Sequence, residues 1–213
     1  MFNSVMVIAP HPDDDILGCG GLMSRVVREG GKLTVLYANM ESGKRGDEIE
    51  NALALLPHAV EIGVYCVEPD GIKGSIKYLA TWIQNGIEFY KPEVVCIPNR
   101  TAHHQDHRTT AEASIIATRP SGGTSHYRPP IVLEYEVAGD VWPPRNTIDP
   151  QLAVSIEHSD VLFKMDAMNE HKSQVRSSPS ERSTRTILSL AAIRGSQAGV
   201  EYAEAYNILR WVM

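Results

Sequence analysis

In the first half of the chain, short β-branched runs alternate four times with longer helix-patterned segments, and few folds accommodate that alternation. Strand runs are read at Val5 to Ala9, Leu33 to Ala38, Glu61 to Val67 and Val94 to Pro98. Helical patterns follow at Ile16 to Arg28, Arg45 to Leu56, Ile76 to Phe89 and Asp106 to Thr118, with Ile49, Ala52, Leu53 and Leu56 sharing one face of the second. Repeated strand-helix units predict an α/β fold, a Rossmann-like three-layer α/β/α arrangement around a mostly parallel sheet. The rest is less regular. A Gly/Ser/Pro-rich loop spans Arg119 to Tyr127, an alternating strand spans Ile131 to Val137, and Trp142-Pro143-Pro144 reads as a rigid extended link. Helices are expected from about Ser159 to Gln174 and near Glu181 to Arg194, and Tyr202 to Trp211 closes the chain with mixed apolar signals. No internal repeat is visible, so residues 1–213 are read as a single domain.

Such sheets bind ligands outside the carboxyl ends of their strands, and two polar clusters fall there. His11-Pro12-Asp13-Asp14-Asp15 follows the first strand directly, and His103-His104-Gln105-Asp106-His107 follows the fourth. Carboxylates this close repel one another and titrate upward unless a cation neutralises them. A carboxylate and two imidazoles suit a catalytic zinc whose remaining position holds a water of lowered pKa, and His11, Asp14 and His107 supply that set. Asp13 is then placed to act as general base. His104, one helical turn before His107, can donate to a developing oxyanion, and Asp106 can accept the outer N–H of an imidazole and fix its tautomer. The chemistry implied is hydrolysis.

At these residues the chain resembles the LmbE/PIG-L family of zinc-dependent N-deacetylases. Pro10 to Gly21 is similar to the family's H-P-D-D-x-x-L-G-x-G-G segment, and His104 to His107 to its H-x-D-H. Arg45-Gly46-Asp47-Glu48 with Ala52 is similar to R-x-x-E-x-x-x-A, His171 to Gln174 to H-x-S-Q, and Tyr202 to Ala205 to Y-A-E-x. The chain departs from the family at Asp15, usually Glu, at Ala205-Tyr206, and at Ala102, where some members carry tyrosine. The resemblance implies one Zn2+ per chain, with other divalent ions admissible, on His11, Asp14 and His107, and Asp13 as base. It also implies His104 acting as an imidazolium on the tetrahedral intermediate, Arg45 reaching the sugar, and removal of acetyl from an N-acetylglucosamine-type amino sugar or its conjugate.

Other readings compete at single positions. Asp13 or Asp14 alone would cap a helix, and Arg45 with Glu48 would form a solvated pair. His171 would answer a helix dipole, and Glu204 would hold the last segment onto a loop. Gly18-Cys19-Gly20-Gly21 lacks the dinucleotide-binding register and is read as permitting close packing of helix on sheet. Rival functions are a two-metal phosphoesterase using Asp13 or Asp15, and a sugar-binding module without catalysis.

Composition narrows the partners. A net charge of −6 gives no basic footprint, so neither nucleic acid nor a membrane surface is expected, and the partner is a small amino-sugar molecule. A homo-oligomer stays open. The cysteines Cys19, Cys66 and Cys96 form no C-x-x-C pair and read as buried thiols. With an N-terminus lacking the features of a signal peptide, a cytoplasmic location is expected.

Overall fold

The computed structural model describes residues 2–68, 71–72, 74–120, 126–141 and 150–212. The Trp142-Pro143-Pro144 link and most of the Gly-rich stretch of the 119–127 loop lie outside them. The first four strand-helix units fold as β1 (Ser4–Ala9), α1 (Asp14–Arg28), β2 (Lys32–Asn39), α2 (Gly43–Leu53), β3 (Glu61–Cys66), α3 (Ile76–Tyr90), β4 (Val94–Pro98) and α4 (Gln105–Thr118). There follow β5 (Ile131–Tyr135), a single 3-10 turn (Ala138–Val141), β6 (Leu152–Ile156), α5 (His158–Glu170), α6 (Thr184–Ala198) and β7 (Tyr202–Trp211).

The strands form one sheet in the order β3-β2-β1-β4-β5-β7-β6. The first five are parallel; β7 runs antiparallel to both β5 and β6. Two apolar cores result, one between the sheet and α1, α2, α5 and α6, the other between the sheet and α3 and α4. The chain winds outward from β1 to β3, crosses back through α3 and continues from β4, so the winding reverses between β1 and β4. A crevice opens at such a reversal, at the carboxyl ends of the two strands.

The expected three-layer architecture is therefore observed, with differences in the second half. β6 was missed although Val154 and Ile156 are buried and Ala153 and Ser155 exposed in strict alternation, because a run of only five residues gives a short signal. The closing segment is a full ten-residue strand. Helix α5 ends at Glu170 rather than near Gln174 because the Ser173 N–H and hydroxyl turn aside to Glu48 on α2, at 2.7 and 2.8 Å. Cys66 is half-buried, unlike Cys19 and Cys96, since edge strand β3 has one open side; none of the three forms a disulfide, and the Cys66 thiol donates to Ala38 O at 3.1 Å. Among the described residues no helix is long and apolar enough to cross a membrane.

Two glycines set how deeply α1 sinks onto the sheet. A Cβ at Gly18 would stand 2.3 Å from the Tyr135 ring, and one at Gly21 would meet Ile156 at 2.6 Å and the Glu204 carboxyl at 3.1 Å. The space Tyr135 gains lets its hydroxyl donate to Ile8 O at 3.0 Å, just before the polar turn. Glu204, on β7, accepts from the Gly21 and Leu22 amides at 2.8 Å each, from Lys164 at 2.6 Å and from the Tyr206 hydroxyl at 2.9 Å. It thus ties the last strand to α1 and α5, not to a loop.

Glu204 and Lys164 are each 5% exposed, so removing one partner strands a buried charge. Glu204→Ala should lower unfolding free energy by about 3–5 kcal/mol in urea titrations. A loss under about 1 kcal/mol, the scale of an exposed pair, would show that the carboxylate is not the anchor.

Candidate metal centre

The turn after β1 is built around its own acids. The His11 amide donates to Asp14 Oδ2 at 3.0 Å, and the Asn39 amide fixes Pro10 O at 2.9 Å. Asp13 occupies the N-cap position of α1 at φ 101, yet its side chain makes no capping hydrogen bond. Simple capping therefore does not explain Asp13, and a non-glycine residue held at positive φ marks a position that the surroundings over-determine.

On the neighbouring strand, His104 caps α4 by accepting from the Asp106 amide through Nδ1 at 3.2 Å, and His107 sits in the first turn. Because β1 pairs with β4, the two turns face each other. Asp14 Oδ2 lies 3.3 Å from His11 Nδ1 and 3.1 Å from His107 Nε2. The outer ring nitrogens are taken by carboxylates: His11 Nε2 by Asp106 Oδ2 at 2.9 Å, and His107 Nδ1 by Asp140 Oδ2 at 2.6 Å. Each carboxylate holds a proton on the outer nitrogen and turns the inner nitrogen toward Asp14, the orientation typical of metal-ligating histidines, whose inner nitrogen gives up its proton to the ion.

Two overlapping donor sets meet here. Ring nitrogens of His11, His104 and His107 lie within 4.8 Å of one another, and Asp14 sits closer to His11 and His107 than that. Zinc bonds of about 2.0–2.1 Å in a tetrahedron place ligand atoms about 3.3 Å apart. The two spacings from Asp14, to His11 and to His107, match. His104 is a different case: with Nδ1 accepting a backbone hydrogen bond, its proton resides on Nε2, which then donates rather than ligates.

Electrostatics describe the same demand for positive charge. Burial opposes a charged His11, but bonds to Asp106 and Asp14 raise its pKa to about 9. Burial likewise opposes a charged His107, yet the Asp14 charge and bonds to Asp14 and Asp140 raise it to about 10. Asp14 is driven well below the usual carboxylate range: burial works against this, and the two imidazoles prevail. A divalent ion satisfies these acids without the two protons, so the donor set fits one. Burial and the neighbouring imidazoles lower the His104 pKa. Geometry and surroundings favour a neutral His104 ring in this structure, whereas the imidazolium was expected on the tetrahedral intermediate.

Asp13 is 1% exposed, and burial together with the Asp14 charge lifts its pKa to about 7, against the pull of Arg182 and Arg45. Arg45 donates to Asp13 Oδ1 at 3.0 Å and also bonds Pro12 O and Glu41. It is 5% exposed, a buried brace behind Asp13 rather than half of a solvated pair with Glu48. The Arg182 Nε lies 3.3 Å from Asp13 Oδ2, an oxygen that has no hydrogen-bond partner among the described residues. Asp15 faces away, bonded by the Tyr37 hydroxyl at 2.8 Å. His103 is exposed.

Sequence reasoning missed Asp140, Glu41 and Arg182. They lie on a 3-10 turn and two connections, with no spacing relative to the histidines, and only the fold brings them in. His171, expected at a helix end, caps α5 but is fully buried, and neither ring nitrogen has a hydrogen-bond partner among the described residues.

A family model described as "PIG-L: GlcNAc-PI de-N-acetylase" matches residues 6–118, more than half of the chain and both turns of the site. The chain is 28% identical over 182 residues to "Uncharacterized deacetylase YaiS" of Escherichia coli (strain K12), covering 79% of this chain and 90% of that protein. Among solved structures it is similar to the N,N'-diacetylchitobiose deacetylase of Pyrococcus horikoshii, with a TM-score of 0.79 at 20% identity over 98% of this chain and 84% of the other. It is equally similar to GalB, the 4-carboxy-2-hydroxymuconate hydratase of Pseudomonas putida KT2440, with a TM-score of 0.79 at 17% identity over 97% and 96% of the two chains. At these identities the two structures show a shared fold.

Burial and the Arg45 charge lower the His171 pKa to about 4, so the folded state holds this ring neutral while the unfolded chain protonates it near its ordinary 6.5. Its contribution is complete above that value and disappears as pH falls from 6.5 toward 4. In metal-free protein, wild type should lose about 3 kcal/mol more stability than His171→Gln between pH 7 and pH 4, read from denaturant midpoints at each pH. Parallel pH profiles would show that the ring does not titrate on unfolding.

Proposed function

The chain belongs to the PIG-L family, described as GlcNAc-PI de-N-acetylase, and from that premise we propose that it is a metal-dependent amide hydrolase removing acetyl, or another small acyl group, from an N-acetylated amino sugar or its conjugate. The observation that carries the reading is the convergence of His11 Nδ1, His107 Nε2 and Asp14 Oδ2 beside an Asp13 oxygen that is buried and without a hydrogen bond. Zinc is the ion best suited to that set, and it would supply a water of lowered pKa and polarise the acyl oxygen.

The protein groups have separable roles. Asp13 Oδ2 takes the proton of the attacking water and returns it to the departing nitrogen, while Arg45 on Oδ1 keeps the carboxylate oriented. A carboxylate poised near neutrality both accepts and releases a proton at working pH. His104 donates through Nε2–H to the oxygen that gains charge. Asp106 and Asp140 hold His11 and His107 in their ligating tautomers.

The two-metal phosphoesterase reading finds less support, since Asp15 turns to the Tyr37 hydroxyl and Asp13 Oδ1 is held by Arg45. Water addition, the reaction named for GalB, needs the same proton-accepting carboxylate, so product analysis separates the two.

Zinc-loaded protein should release acetate and free amine from a panel of N-acetylglucosamine conjugates. Asp13→Ala should retain about one metal per chain by elemental analysis while turnover falls about 10²–10⁴-fold. His107→Ala should lose the metal itself. Parent-rate turnover by Asp13→Ala would overturn the assignment of the base.

A further inference from the structure

Asp13 is flanked by two guanidiniums of different character. Arg45 is buried and directed, with bonds to Asp13 Oδ1, Pro12 O and Glu41. Arg182 is one-third exposed and stands beside Asp13 Oδ2 at 3.3 Å without hydrogen-bond geometry. It belongs to the connection between α5 and α6, and that connection is firmly placed. Glu48 on α2 receives the Ser173 amide and hydroxyl, Arg176 N donates to Arg182 O, and the Arg182 amide donates to Ser180 Oγ at 3.2 Å. The guanidinium is aimed by Nη1, which donates to Gln174 Oε1 at 2.7 Å. Among the described residues, Nη2 has no hydrogen-bond partner.

Arg45 and Arg182 both pull on Asp13, but Arg45 directs its donors to Asp13 Oδ1, Pro12 O and Glu41, whereas Arg182 keeps Nη2 uncovered among the described residues. Arg182 thus faces Asp13 through Nε and Gln174 through Nη1, and keeps Nη2 for a further acceptor. A rigidly placed guanidinium with one open edge at the rim of a crevice matches a planar or tetrahedral oxyanion, and charge-assisted bonds to such groups are about twice as strong as neutral ones.

We propose that Arg182 is a specificity-determining residue that binds an anionic oxygen group, phosphate or carboxylate, carried by the substrate next to its acylamino sugar. The proposal rests on the amide hydrolase reading for the identity of the sugar, and on the placement of Arg182 for the charge. It also gives Glu48 a role, since its clamp on Ser173 sets the position of the arginine from the helix that carries Arg45.

Binding of the amine products to zinc-loaded protein separates the two ideas, because no turnover is involved. Calorimetry with glucosamine, glucosamine 1-phosphate, glucosamine 6-phosphate and muramic acid should show at least one anionic ligand bound about tenfold or more tighter than glucosamine. The phosphates and the muramic acid carboxylate distinguish which oxyanion is taken. Arg182→Ala should abolish that preference and leave glucosamine affinity unchanged; Arg182→Lys, which keeps charge without the fork, should restore part of it. With the matching N-acetylated substrates, Arg182→Ala should raise KM for the anionic one about tenfold more than KM for the neutral one, whereas any change in kcat transmitted through Asp13 should be the same for both.

Equal wild-type affinity for neutral and anionic ligands would overturn the proposal, as would an Arg182→Ala effect that is the same for neutral and anionic substrates, which would place Arg182 in service of Asp13 alone. An anion preference that Arg182→Ala removes, in a protein that releases no acetate from any substrate, would support the assignment of Arg182 and overturn the hydrolase reading instead.

Discussion

Three consecutive carboxylates buried in one turn require three separate counter-groups, and much of the molecule is arranged to deliver them. Asp13, Asp14 and Asp15 are 1%, 2% and 0% exposed. Uncompensated, such charges would be expensive enough to prevent the turn from folding as it does. Asp15 receives the Tyr37 hydroxyl from β2, Asp14 receives His11 and His107, and Asp13 receives Arg45 from α2 with Arg182 beyond it. A strand, two helices and a distant connection therefore meet at one point. The imidazoles near Asp14 carry raised pKa values because the group still needs positive charge, which a divalent ion would provide.

The scaffold brings these partners together by two means. The reversal of winding between β1 and β4 sets the two polar turns side by side, so residues separated by nearly half the chain become neighbours. The glycine-bearing face of α1 then lets the helix lie close to Tyr135 and to the Glu204 carboxylate. Glu204 fixes the helix from β7, and Tyr135 fixes Ile8 from β5, so the turn between β1 and α1 is braced from both sides. The antiparallel pair β6-β7 extends the sheet on that side and is also what presents Glu204 to α1.

Asp13 shows how structure and chemistry coincide. Its positive φ, its lack of a capping bond and its pKa near 7 share one origin: the residue is held by its surroundings for its side chain, not for the helix that it precedes. Arg45 was expected to touch the sugar and lies instead behind Asp13, while Arg182, which no pattern singled out, stands at the open side. An arginine's task depends on which of its nitrogens is left uncovered, and that is a property of packing.

The sequence by itself determined the repeating strand-helix wrap, the two polar turns at strand ends and the residue types of the centre, because hydrophobic period and local spacing are written in neighbouring residues. His11, Asp14, Asp106 and His107 were legible for that reason. Only the tertiary structure decided that His11 leans on Asp106 while His107 leans on Asp140, that Glu204 grips two helices, and that His104 keeps its proton on Nε2. Those choices depend on burial and on contacts between segments far apart in the chain, and neither leaves a period in the sequence. A side chain's ionisation and its free donors are set by what surrounds it, and the surroundings exist only once the sheet has closed over the turn.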